Sequence, residues 1–355
     1  MDSTSQPVQP AVDEPESAGE GEGAFASLQR LRPPRAQLGQ ALTSRFARFA
    51  LVLVLAALFL LFTLLEPGLF ATGGNVKAML SSESVTLILA LAVVIPLRAG
   101  DFDLSVASVM VFASALAPLL WSKVGLPFGL CIVLTLLFGV IVGFVNSFFI
   151  VLLDLNAFVV TLGSMTLLEG LTTWISSGNL VTQVPHALIS FSRATVFGLP
   201  AAVFYGWGLV IVLWYVCELT PFGRQLLFVG GNREAARLAG IKIRRVRLLA
   251  FVASAVISTF AGLVLVGKLG VADPTLGPSY LLPPYAAAFL GIAAVQLGRF
   301  NIGGTLIAVY LLIVATTGLL LLGSAEWVTN AFNGAALMLA VTFASLAGGR
   351  RARAT

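Results

Sequence analysis

Ten apolar stretches organise this chain, each close to the length at which a helix crosses a bilayer, about 20 residues at 1.5 Å per residue. They fall near 46–65, 83–98, 104–121, 128–150, 157–176, 200–217, 248–267, 281–297, 304–322 and 328–347. The hydrocarbon region offers no water to an unpaired backbone group, so a chain patterned this way has to satisfy its N–H and C=O groups within helices. Only 10% of the residues are charged and 58% are hydrophobic, with a mean hydropathy of +0.98, against roughly 25% charged in soluble domains. The reading is an all-α polytopic membrane protein in which one bundle absorbs nearly all of the 355 residues.

Three regions follow from this: a tail over 1–44, a transmembrane domain over 45–348 and a short basic tail over 349–355. The first 29 residues are rich in Pro, Ser, Gln, Gly and acid, which cannot bury a core and so read as disordered. Arg30, Arg32, Arg35, Arg45 and Arg48 then turn the tail basic. Threading ten spans with the N-terminus in the cytoplasm puts 17 of the 21 Lys and Arg on the inner side. Only Lys77, Lys123, Arg193 and Lys268 remain outside. Such a split is the positive-inside pattern, and one span more or fewer would destroy it. Both termini are therefore expected in the cytoplasm. The basic residues lie between apolar runs as topology signals, which argues against nucleic acid as a partner and leaves membrane lipid as the surroundings.

The same threading places the longest polar run, Pro221 to Arg247, in a cytoplasmic loop over 218–247 that carries seven of the 21 Lys and Arg. A short helix is punctuated inside it. Asn232 can cap its start, Glu234 puts a negative charge in the first turn, Arg237 a positive one near the end, and Gly240 supplies a left-handed stop. Two turns are too few to persist alone in water. The helix therefore reads either as a piece made to dock on a partner or as a capped helix lying on the membrane surface.

Few polar groups enter the bilayer, and a central Asp costs about 2.5–3.5 kcal/mol on insertion scales. The densest group, Arg98-Ala-Gly-Asp101-Phe-Asp103-Leu-Ser105, joins the second and third stretches. Asp103 or Ser105 can cap the third; alternatively the turn folds back into the bundle and lines a translocation path. Glu169 sits in the fifth stretch, at an interface or facing an aqueous cavity. Asn146, Thr161, Ser164 and Thr166 can meet a sugar hydroxyl or hold helices together. Gly139 and Gly143 stand at the spacing that permits close helix contact. Pro283 and Pro284 predict a bent or broken eighth stretch beside a pathway, and the loop over 177–199 is long enough for a small surface helix. An inverted repeat is allowed by a five-span offset but no sequence repeat is visible.

Enzyme and cofactor classes find little support. His186 is the only histidine and lies in a loop, no cluster has metal-ligand spacing, and Cys131 and Cys217 fall inside apolar stretches as packing residues. The run Gly262 to Lys268 imitates a phosphate-binding loop. Leu269 stands where a magnesium-holding Ser or Thr belongs, and the run closes an apolar span. No cofactor is expected on this chain, so an ATP-driven mechanism would draw ATP and magnesium from a separate subunit. No cleavable signal peptide is apparent.

The run Gly230-Gly231-Asn232-Arg233-Glu234-Ala235-Ala236-Arg237-Leu238-Ala239-Gly240 resembles the "EAA, three residues, G" cytoplasmic loop of ATP-binding-cassette importer permeases, in the form found among ribose- and xylose-type monosaccharide permeases. Asp103-Leu-Ser-Val-Ala-Ser108, Phe158-Val-Val-Thr-Leu-Gly163-Ser-Met165 and Pro221-Phe-Gly223-Arg224 agree in order and spacing. The family usually has Gly-Gly-Ile where this chain has Gly100-Asp101-Phe102, often Arg in place of Glu169, and an acid missing from Tyr280-Leu-Leu-Pro-Pro-Tyr285. The resemblance implies a bacterial inner-membrane permease importing a monosaccharide. Its partners would be an ABC ATPase docked on 231–237 and 240, to which Ala235 and Ala236 would present a small-residue face, a periplasmic or lipid-anchored binding protein, and a second permease, identical or sister. Asp101, Asp103, Ser105, Asn146, Thr161, Ser164 and Glu169 are the translocation-path candidates. A sugar-derived signal, a nucleoside or a branched-chain amino acid stays open as substrate. An ion-coupled transporter, which would need an essential carboxylate near the midplane, is the rival mechanism.

Overall fold

The computed structural model describes the backbone of residues 34–325 and 327–352 and the side chains of 49–325 and 327–342. The expected disorder of the first 29 residues, and the side chains of Arg30, Arg32, Arg35, Arg45, Arg48, Arg350, Arg351 and Arg353, lie outside the described residues. The chain divides into two units, 1–46 and 47–355, and the second holds the packed bundle.

Helix occupies all or part of every expected stretch. In chain order these are α1 (Pro34–Leu65), α2 (Gly73–Ser82) with α3 (Ser84–Arg98), α4 (Val106–Ser122), α5 (Phe128–Ser147) and α6 (Ala157–Ser176). After a loop helix α7 (His186–Arg193) and a two-residue hairpin come α8 (Ala201–Trp214), α9 (Pro221–Gly231), α10 (Arg233–Leu238) and α11 (Ile243–Leu269). The last three are α12 (Leu282–Gly291), α13 (Ile302–Leu321) and α14 (Trp327–Ala352). Wider π turns, Phe148–Leu152 and Tyr215–Leu219, extend α5 and α8. Among the described residues six helical segments are long and apolar enough to cross a membrane unaided: Gly73–Arg98, Phe128–Leu152, Ala157–Ser176, Ala201–Leu219, Ile243–Leu269 and Ile302–Leu321. The protein is all-α and polytopic. The eighth stretch is broken, though not at its prolines: Pro283 and Pro284 sit in the first turn of α12, which holds only ten residues and ends at Gly291 in a turn fastened by Asn301.

Lipid gives two apolar helices no hydrophobic reason to associate, so packing and small residues decide which ones sit at the centre. The α2–α3 segment and α11 are each 72% buried over their apolar windows, whereas α6 is 17% buried and turns most of its surface outward. Gly139 and Gly143 account for one of these contacts. A Cβ at Gly143 would stand 2.6 Å from Val252 Cα, and one at Gly139 would strike the Thr259 side chain, so α5 lies backbone to backbone on α11. The imitation phosphate loop is continuous helix inside α11, with Gly262 set against the Met110 backbone. Cys131 and Cys217 are free and buried.

Packing partners exchange across the two halves. Helix α4 lies against α5, α6 and α11, while α12 lies against α13, α14 and α3. Counting spans, each partner of the third has a counterpart five places away among the partners of the eighth, the exchange an inverted repeat produces. The surface helix expected in 177–199 is α7. Its Leu188 is buried, and Arg193 donates to the Lys268 and Leu269 carbonyls (2.8 Å each), satisfying the C-terminal end of α11.

Candidate functional site

The polar loop folds as two helices joined at Asn232. The Asn232 side chain accepts from Ala235 N (3.0 Å) and Gly240 adopts φ +77°, so α10 has the start and stop its residues specify. Glu234 and Arg237 pair at 2.9 Å on the outer face, both exposed. One expectation needs correcting. Ala235 and Ala236 do not form a common outward face, because Ala236 has no exposed surface and joins the bundle core. The large apolar group that α10 turns outward is Leu238, 83% exposed. Gly231 is exposed, with open space where a Cβ would point.

Directly beneath lies the turn between α3 and α4. A Cβ on Gly230 would collide with the Arg98 carbonyl, and Gly100, at φ +77°, faces Gly230 backbone in return. Two main chains therefore touch where glycine alone leaves room. Arg98 donates to Glu218 Oε1 (2.6 Å) and to the Cys217 carbonyl (3.0 Å), and Gln296 donates to the other oxygen of Glu218 (2.7 Å). Asp101 sits beside this contact. Arg247 grips it through Nε (2.7 Å) and Nη2 (2.9 Å), and Arg233 of α10 adds a third bond at 2.8 Å. Asp101 and Arg247 are buried, while the Arg233 side chain is 46% exposed. Asp101 thus belongs to the loop's ion-pair cluster and is separate from the other path candidates. A cavity of about 670 Å³ opens alongside, lined by Arg224, Phe228, Arg299 and Phe300 among others.

Two residues further on, Asp103 belongs to a different set. Its Oδ1 accepts from the amide and hydroxyl of Ser105, and its Oδ2 accepts from Ser254 Oγ of α11 (2.9 Å). Its own amide donates to the Tyr285 hydroxyl of α12 (3.2 Å), and Leu104 N donates to Thr161 Oγ1 of α6 (3.1 Å). Asn146 of α5 donates to Ser105 Oγ (3.0 Å) and accepts from Ser164 Oγ. Neither Asp103 nor Ser105 is spent as a simple cap: Ser105 occupies the cap position of α4 without a side-chain cap bond. The turn instead folds into the bundle and joins α4, α5, α6, α11 and α12. Four of the expected path residues, Asp103, Ser105, Asn146 and Thr161, are buried together here with Ser164 at the edge. Thr166 is exposed and donates to its own helix at Leu162.

Glu169 lies elsewhere, in a cavity of about 180 Å³ lined by Ser108, Thr172, Thr173, Thr275 and Gly277 among others. The Glu169 side chain makes no hydrogen bond or ion pair among the described residues, so its carboxylate is open to a polar guest, while the hydroxyls of Ser108, Thr172, Thr173 and Thr275 already donate within the protein and are left to accept. Ser108, one turn along α4 from Ser105, connects this cavity to the buried set through its bond to the Ser105 carbonyl (3.0 Å).

Sequence reasoning did not find Ser254, Tyr285, Glu218, Gln296 or the pairing of Arg247. Ser254 is a lone hydroxyl in an apolar run, and Arg247 reads as one more basic residue at a membrane edge. Only Tyr285, directly after two prolines in a stretch already expected to be broken, carried a usable signal.

Residues 75–341 match the family model described as branched-chain amino acid transport system / permease component. The chain is 30% identical over 275 residues to the ribose import permease protein RbsC of Haemophilus influenzae, covering 76% of this chain and 83% of that one. It is 32% identical over 296 residues to the L-arabinose transport system permease protein AraH of Escherichia coli, covering 81% and 84%. With the autoinducer 2 import system permease protein LsrD of Photorhabdus laumondii it shares 30% over 305 residues, 84% and 91% of the two chains. No solved structure matches it. The chain therefore belongs to the family of branched-chain amino acid transport system permease components: it is an integral membrane transport subunit and not an enzyme.

Proposed function

We propose that this chain is the transmembrane permease of an ATP-driven importer in the bacterial inner membrane, moving a monosaccharide, pentose or hexose, handed over by an extracytoplasmic binding protein. The observation that carries the reading is α10, a two-turn helix capped at both ends that turns Leu238 outward. An apolar side chain on the outer face of a short helix suits a helix-in-groove contact with a partner subunit. The partner is an ATPase that binds ATP and magnesium, and Gly231 to Arg237 with Gly240 form the docking segment. Two permease copies, identical or sister, face two ATPases.

Residues expected in the cytoplasm (Arg98, Arg224, Arg233, Arg247 and Arg299) gather around the loop end of the bundle. Arg193 and Lys268 meet at the other end of α11. That partition supports a cytoplasmic α10 with both termini on the same side. The sugar path runs from the Glu169 cavity past Ser108 to Asp103, Ser105, Asn146, Thr161 and Ser164. Carboxylate and hydroxyl groups accept and donate to a polyol without a fixed charge on the solute. The names of the ribose and arabinose relatives favour a simple sugar, and the autoinducer 2 relative favours a sugar-derived signal as second reading.

The test is reconstitution in vesicles with a partner ATPase and binding protein from the same organism, offering ribose, arabinose and autoinducer 2 in parallel. ATP-dependent accumulation of one of them is expected. Accumulation by this chain alone under an ion gradient would refute the proposal.

A further inference from the structure

The tripeptide Asp101-Phe102-Asp103 has one carboxylate in each of two polar clusters that share no other side chain. Asp101 holds Arg233 on the docking helix and Arg247 at the start of α11. Asp103 holds Ser105, Ser254 and the hydroxyl of Tyr285 in the bundle. Between them Phe102 stacks on Tyr285 and Phe289, with ring centres 6.3 and 6.2 Å away. One intervening residue allows roughly 7 Å of chain between the two carboxylate-bearing positions, too little slack for one cluster to shift without the other. The direct backbone contact of Gly100 with Gly230 removes further play.

We infer that Asp101 and Arg233 are positioning residues for coupling: they transmit displacement of the docking helix to the Asp103 turn and so to the path-lining helices. This rests on the import reading above and assigns Asp101 to force transfer, where the sequence suggested the sugar path. Arg233 is the part that can be altered safely. It is 46% exposed, and Asp101 keeps both bonds to Arg247 without it.

The test compares Arg233→Gln, Arg233→Lys and Glu234→Gln in the full chain in nanodiscs, with no ATPase present, by amide hydrogen exchange. A half-exposed ion pair contributes up to about a fivefold change in a local opening equilibrium. Exchange at Asp103, Leu104 and Ser105 is therefore expected to quicken by up to about fivefold in Arg233→Gln and to recover in part in Arg233→Lys. It should stay at the wild-type rate in Glu234→Gln, whose carboxylate pairs only with Arg237 among the described residues. In the reconstituted importer, Arg233→Gln should also lower solute moved per ATP hydrolysed. Faster exchange confined to 232–240, an equal effect of Glu234→Gln, or an unchanged transport ratio would each overturn the inference. Wild-type vesicles that fail to use ATP would instead defeat the import reading, and the relay with it, whatever the exchange rates are.

Discussion

Replacing Asp101 with alanine separates the two halves of its ion-pair cluster by energy. Arg247 has 6% of its side chain exposed and spends two hydrogen bonds, of 2.7 and 2.9 Å, on this carboxylate. Without it a guanidinium is left buried and uncompensated, a change that costs about 3–5 kcal/mol. Arg233 loses its bond too, but its half-exposed side chain recovers water, and that share is about 1 kcal/mol at most. Asp101→Ala should therefore destabilise the bundle several times more than Arg233→Gln does. Pairing Asp101→Leu with Arg247→Met should restore much of the loss, because a well-packed apolar pair avoids desolvating two charges. Cys131 and Cys217 are free and buried, so a thiol-reactive dye reports thermal unfolding in detergent without added labels. Equal midpoints for Asp101→Ala and Arg233→Gln, or a double variant no better than Asp101→Ala, would refute the assignment of buried charge to this pair.

Gly143→Leu should cost about 1–3 kcal/mol by forcing α5 off the α11 backbone, while Gly208→Leu, with open space around it, should unfold near the wild-type temperature in the same assay. Tyr285→Phe removes the acceptor of the buried Asp103 amide and should cost about 1–3 kcal/mol. Faster hydrogen exchange at Asp103 would mark the site of that loss, and an unchanged rate would show that another group pairs the amide.

Much of the bundle was legible because the bilayer imposes a length rule that local composition either meets or fails. The helical stretches, the close contact at Gly139 and Gly143, and the punctuation of α10 all depend on residues near in sequence. The resemblance carried by the Glu234-Ala235-Ala236 loop is local in the same way. The errors are of the opposite kind. Ala235 and Ala236 look interchangeable as neighbours, yet helical rotation turns one outward and buries the other. Asp101 and Asp103 stand together among the path candidates, yet they face different elements.

Sequence alone determined that this protein spans a membrane in many helices and bears a short capped helix in its one long polar loop, since chain length, hydropathy and capping chemistry act over a few turns. Only the tertiary structure decided which charges meet. Asp101 lies 132 residues from Arg233 and 146 from Arg247, and Asp103 lies 151 from Ser254 and 182 from Tyr285. A buried carboxylate takes its role from whatever the packed helices bring within about 3 Å of it, and no local pattern encodes that distance.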